Sequence, residues 1–103
     1  MSTFHTICQT DEIPEDEARM FVIDNVMVGV FHVNGEYFAL DNRCPHAGAS
    51  LAGGIIENDT IRCRIHHWRF CVREGTYLDE DKPRFNARTF AVRVVGAELQ
   101  VEI

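Results

Sequence analysis

Two cysteines and two histidines near the middle of the chain have the types and the spacing of a metal site. The stretch NRCPHAGASLAGG, residues 42–54, offers one thiolate and one imidazole, Cys44 and His46, with a single residue between them. The stretch TIRCRIHHWRFCVR, residues 60–73, offers a second such pair in Cys63 and His66. Together they read Cys44-x-His46-x16-Cys63-x2-His66, four ligands from two loops, which is the number a closed site needs.

Zinc accepts both ligand types, so a structural Cys2His2 zinc site, or a zinc-stabilised interaction module, is one reading. Zinc fingers, however, commonly pair Cys with Cys on one knuckle and His with His on the other. One of each per loop suits a [2Fe–2S] cluster in which two thiolates hold one iron and two imidazoles the other. Each loop then gives a ligand to each iron, and the two loops clamp the cluster. The Gly and Ala content of the first loop fits backbone that must approach sulfide closely.

The paired boxes resemble those of the Rieske iron–sulfur family. The pattern C-x-H-x-G-x-x-L-x-x-G is met by Cys44, His46, Gly48, Leu51 and Gly54. The second box, C-x-x-H followed by an aromatic residue and a glycine, is met by Cys63, His66, Phe70 and Gly75. Pro83 falls where relatives close a proline-containing third loop over the cluster. The resemblance implies a Rieske-type [2Fe–2S] cofactor ligated by Cys44, His46, Cys63 and His66, with Gly48, Leu51, Trp68, Phe70 and Pro83 around it. The chain departs from high-potential respiratory relatives, which carry an extra disulfide-bonded Cys in each loop; the corresponding positions here are Ala49 and Ile65. It is closer to the soluble, disulfide-free ferredoxins of bacterial ring-hydroxylating dioxygenases. His67 stands where many relatives have Gly, and spacing assigns the ligand role to His66 rather than His67.

Function follows from the resemblance as a set of expectations. The protein is a one-electron carrier with no bond-making chemistry of its own, and the histidine-held iron accepts the electron. The potential belongs at the low end of the family window of about −150 to +300 mV, because neither a disulfide nor a Ser or Tyr donor stands at the positions relatives use. Its partners are a reductase and a terminal oxygenase. The alternative is a cluster-bearing small subunit of a larger oxidoreductase such as a nitrite reductase. Arg62, Arg64, Arg69 and Arg73 crowd the second box. They are either strand residues alternating towards solvent or a basic collar that docks an acidic partner.

Composition bounds the class of protein. At 103 residues and 11.8 kDa, the chain is expected to form one domain over 1–103, with a cluster-binding subdomain at approximately 42–86. A net charge of −6 and the acidic run around Asp11 to Glu17 disfavour nucleic acid. The N-terminus lacks the basic start and apolar run of a signal peptide, and no apolar segment is long enough to span a membrane. A soluble, cytoplasmic monomer is the expectation, and in that compartment Cys8 and Cys71 are free thiols.

The elements that must hold the two loops read as β-strands. Phe4 to Cys8, Met20 to Ile23, Val26 to Val33 and Glu36 to Leu40 are short β-branched or aromatic runs, and Asn34-Gly35 is a type I′ hairpin signal. A second hairpin is expected from Thr89 to Val95, Gly96-Ala97 and Leu99 to Ile103, with Phe90, Val92 and Val94 on one face. Only Asp11 to Met20 has helix-like composition, and Pro14 limits it to a turn or two. The fold class is all-β, a Rieske-like antiparallel sandwich or small barrel carrying the two-loop subdomain. His5 and His32 lie in strand-like runs and are read as structural.

Overall fold

A computed structural model describes residues 3–44, 49–65 and 67–103. Among the described residues, ten strands form three antiparallel sheets. The first has order β1-β10-β9, from β1 (Phe4–Gln9), β10 (Glu98–Glu102) and β9 (Val92–Val95). The second is β2 (Glu17–Ile23), β3 (Val26–Val33), β4 (Glu36–Asp41) and β8 (Thr89–Phe90), in that order. The third and smallest is β5 (Ile55–Glu57), β6 (Thr60–Arg62) and β7 (Arg69–Cys71).

The central strand β3 is the most apolar, and Val28 to Phe31 and Val33 are buried. Its two-sided burial is why it reads as a continuous hydrophobic run rather than an alternation. Asn34 (φ 53°) and Gly35 (φ 75°) turn β3 into β4 with both residues in the left-handed region, as a type I′ turn requires. Asp24 (φ 49°) and Asn25 (φ 66°) turn β2 into β3 in the same way. Glu15 fixes the Asn34-Gly35 turn from outside, its carboxylate accepting both amide N–H groups at 2.6 and 2.8 Å. His32 holds the same segment: its Nδ1 lies 2.7 Å from the Ile13 carbonyl, and its ring stacks on Tyr37.

Two hydrophobic clusters divide the interior. One lies under the first two sheets around Ile13, Val28, Val30, Ala39, Leu99 and Val101. The other joins Phe31, Val33 and Leu40 to Leu51, Ile61, Phe70 and Val72, and also contains Cys44 and Cys63. The expected ligand cysteines are therefore embedded in the packing that connects the four-stranded sheet to the small one.

The helix-like stretch 11–20 yields a single 3-10 turn, Thr10–Glu12, within the turn or two that Pro14 allows, and strand β2 begins at Glu17, ahead of the expected Met20, where pairing with β3 outweighs local propensity. One local expectation is corrected. The run 89–95 is not one strand. Thr89 and Phe90 pair with β4, whereas Val92 to Val95 pair with β10, and the chain changes sheets at Ala91. Phe90 is consequently buried and Val94 is half exposed, although alternation places them on one face.

Candidate metal centre

The first loop leaves β4 and is organised by Asn42, a fully buried polar side chain. Its Oδ1 accepts from the Ala52 N–H at 2.9 Å, and its Nδ2 donates to the Ser50 hydroxyl at 3.0 Å. Its backbone N–H donates to the Met27 carbonyl, and its carbonyl accepts from Leu51. Gly29 makes room for it, since a Cβ there would stand 2.9 Å from Asn42 Oδ1. The base of the loop is thereby bonded to the central strand, and the Cys44 N–H fastens it further by donating to the Ala49 carbonyl at 2.8 Å. Replacing the buried Asn42 with alanine removes two part-buried hydrogen bonds, to Ala52 and Ser50, so a loss of about 2 kcal/mol in unfolding free energy is expected by urea titration. A loss below about 0.5 kcal/mol would show that water takes over these bonds.

The second loop leaves β6 and is closed by the Cys63 N–H donating to the Trp68 carbonyl at 2.8 Å. His67 takes φ 59°, a left-handed conformation that explains why glycine suits this position in relatives. Gly54 lets the base of the first loop lie against β6, since a Cβ there would meet the Arg62 carbonyl at 2.5 Å. Cys44 and Cys63 are both buried in the same hydrophobic cluster, with the Cys44 thiol near enough to act on that of Cys63. Burial pushes the Cys63 thiol up; an N–H from Ile65 works against this shift, and Cys44 adds to it. Two adjoining buried thiols are poor thiolates unless a cation lies beside them. This donor pair fits a thiolate-held iron.

Four expected residues are the metal ligands Cys44, His46, Cys63 and His66. The structure brings the two cysteines together; His46, His66 and Gly48 lie outside the described residues. Of the other residues assigned to the cluster's surroundings, Leu51 and Phe70 are fully buried in the same cluster as the cysteines. Trp68 is half-buried, stacked on Tyr77 at 4.4 Å and meeting Phe85 edge-on at 5.1 Å. Pro83 opens a short 3-10 turn, Pro83–Phe85, which carries Phe85 onto that stack. Tyr77 itself is buried, pairs with Phe70 through an isolated bridge, and donates its N–H to Asn86 Oδ1 at 2.9 Å. Neither Asn42 nor Tyr77 stands out by type. Asn42 needs the Gly29 gap to be recognised and Tyr77 its long-range stack.

The arginines around the second loop are mostly neutralised within the chain. Arg69 pairs with Asp79 at 2.7 Å, and Arg73 with Glu36 and Asp59 at 2.9 and 3.3 Å. Arg62 lies 3.1 Å from Glu57, though the angles leave its buried Nε–H without a hydrogen bond. Three of the four side chains therefore pair within the chain, Arg62 inside the small sheet, Arg69 to the third loop and Arg73 partly to β4. Arg64 differs, donating from Nε to the Gly53 carbonyl at 2.6 Å. Cys8 is buried and Cys71 half-buried, and both are free thiols.

Known proteins agree with this geometry. The Rieske [2Fe-2S] domain matches residues 3–94. The biphenyl dioxygenase ferredoxin subunit of Pseudomonas sp. (strain KKS102) is 34% identical over 97% of this chain and 92% of its own. Among solved structures, the ferredoxin of carbazole 1,9a-dioxygenase from Nocardioides aromaticivorans IC177 superposes with a TM-score of 0.87 at 28% identity, covering 96% of both chains. A putative NADH-dependent nitrite reductase small subunit from Mycobacterium tuberculosis shares the fold, with a TM-score of 0.89 at 22% identity over 100% of this chain and 96% of its own. A match across nearly the whole length, on a structure that joins two buried cysteines from two separate loops, places this chain in the Rieske [2Fe-2S] domain family.

Proposed function

We propose that Cys44 and Cys63 hold one iron of the cluster and His46 and His66 the other. In this reading Gly48, Leu51, Trp68, Phe70 and Pro83 shape the surroundings, and residues 42–86 form a cluster-binding subdomain of one domain spanning 1–103. The burial of Cys44 and Cys63, from two separate loops, in one hydrophobic cluster is the observation that carries the reading. The cofactor is a Rieske-type [2Fe–2S] cluster, which supplies one reversible one-electron step when bound. The protein is an electron-transfer component and not itself a catalyst.

The chain's own residues make that step usable. Leu51, Ile61, Phe70 and Val72 exclude water from the cysteine side. The hydrogen bonds of Asn42 and of the Cys63 N–H set where each sulfur sits. The Trp68–Tyr77–Phe85 stack braces the second loop from the third. Among the described residues no hydroxyl donates to either sulfur, which supports a potential at the low end of the family window.

The electron donor is read as a reductase and the acceptor as a terminal oxygenase, by likeness to the dioxygenase ferredoxin subunits. No helix among the described residues is long and apolar enough to cross a membrane, in keeping with the proposed soluble, cytoplasmic monomer. Anaerobic reconstitution with iron and sulfide should yield a brown protein with a rhombic EPR signal on reduction and a midpoint below about 0 mV. A colourless product that retains zinc would overturn the ligand set, and a midpoint in the respiratory range would overturn the low-potential reading. Co-elution of the native chain with a sirohaem enzyme would favour the nitrite reductase alternative.

A further inference from the structure

In a chain without an inter-loop disulfide, something else must keep the two ligand loops from parting. Both cysteines sit at the loop bases, within the hydrophobic packing. Beyond the bases, Arg64 reaches from the second loop, one residue after Cys63, and donates its Nε–H to the Gly53 carbonyl of the first at 2.6 Å. Gly53 is held in turn, its N–H donating to the Ser50 hydroxyl that also bonds Asn42. The bond is short and charge-assisted, and the planar guanidinium fixes its direction in a way an ammonium would not. Arg62, Arg69 and Arg73 pair with carboxylates, whereas Arg64 spends its Nε on a neutral carbonyl eleven residues away.

We infer that Arg64 is a positioning residue that clasps the second ligand loop to the first and thereby slows loss of the cluster. This rests on the Rieske reading above. A cluster held by one cysteine and one histidine per loop leaves when the loops separate. A bond that bridges the loops beside Cys63 therefore acts on the opening step. The same bond accounts for why a basic side chain at this position need not signal a docking collar.

The test uses the full reconstituted chain with Arg64→Met, which keeps the apolar stem and removes the donor, and Arg64→Lys, which keeps the charge and a less directional donor. Cluster loss is followed by bleaching of the visible absorbance under an excess of iron chelator. Thermal unfolding of the apoprotein is measured in parallel. R64M should lose its cluster about fivefold faster than the parent, as expected for one exposed charge-assisted hydrogen bond. R64K should fall between them, and the apoprotein midpoints should agree closely.

The R64M ratio should be unchanged between about 0.1 M and about 1 M salt, where charges are screened beyond ~10 Å and ~3 Å. A hydrogen bond survives that change and a through-space charge effect does not. Loss rates within twofold of the parent in R64M, equal rates in R64K and R64M, or a ratio that collapses in high salt would each overturn the clasp. Failure of the parent chain to give the rhombic EPR signal would instead overturn the cluster reading, so the two failures are distinguishable.

Discussion

Replacing Cys63 with alanine is expected to abolish cluster loading, with iron per chain falling from about two to near zero. The cysteine is fully buried just beyond β6, in the same hydrophobic cluster as Cys44. Among the described residues no free cysteine stands ready to replace it: Cys8 packs in the other hydrophobic cluster, and Cys71 lies at the far end of β7. The measurement is iron and sulfide content after reconstitution, with the EPR signal as a second readout. A loaded, rhombic C63A protein would remove Cys63 from the ligand set. The same residue carries a pH dependence. Because burial raises its thiol above the ordinary value of 9.0, the apoprotein's stability from this group is complete below that value. It is lost as pH rises through the raised value, where the unfolded chain ionises first. C63A should flatten that alkaline decline. Loading runs the opposite way, since the metal must displace the thiol proton, and it should become more favourable as pH rises.

Gly75→Ala should lower unfolding free energy by at least about 3 kcal/mol, measured by urea titration of the apoprotein. Two penalties combine. Gly75 has φ 73°, which costs a residue with a Cβ about 1–2 kcal/mol. Its Cβ would also lie inside the van der Waals distance of the Ala87 carbonyl oxygen. That backbone atom cannot step aside as a side chain could, because the Ala87 N–H donates to the Gly75 carbonyl at 2.8 Å and the Gly75 N–H to Cys71 at 2.7 Å. Relief requires breaking the junction that returns the third loop to the sheet. A loss under about 1 kcal/mol would mean the loop shifts without cost and the junction is not rigid.

How much of this was legible before folding differs from residue to residue. Asn34-Gly35 announces its hairpin because the turn conformation admits few residue types, and both fall at positive φ. Gly54 and Gly75 were visible as pattern glycines, and the structure supplies their reasons in the Arg62 and Ala87 carbonyls. Trp68 stacks on Tyr77 and meets Phe85, neighbours that its position beside the second box did not identify. The four arginines could not be sorted from sequence, because their partners, Glu57 for Arg62, Gly53 for Arg64, Asp79 for Arg69 and Glu36 and Asp59 for Arg73, lie on other segments. Nor could the sheet change at Ala91 be read, since alternation reports which face a residue takes and not which strand it pairs with.

The sequence by itself determined the ligand types, their two-by-two spacing, the β character of the scaffold and the turns that need particular residues. These are local properties, set by side-chain chemistry and backbone sterics over a few positions. Only the tertiary structure decided that Cys44 and Cys63 share one buried pocket, that Asn42 anchors its loop through the gap at Gly29, and that Arg64 reaches across to Gly53. Each of those depends on packing between segments ten or more residues apart, where the preference of one stretch is settled by the surface another presents to it.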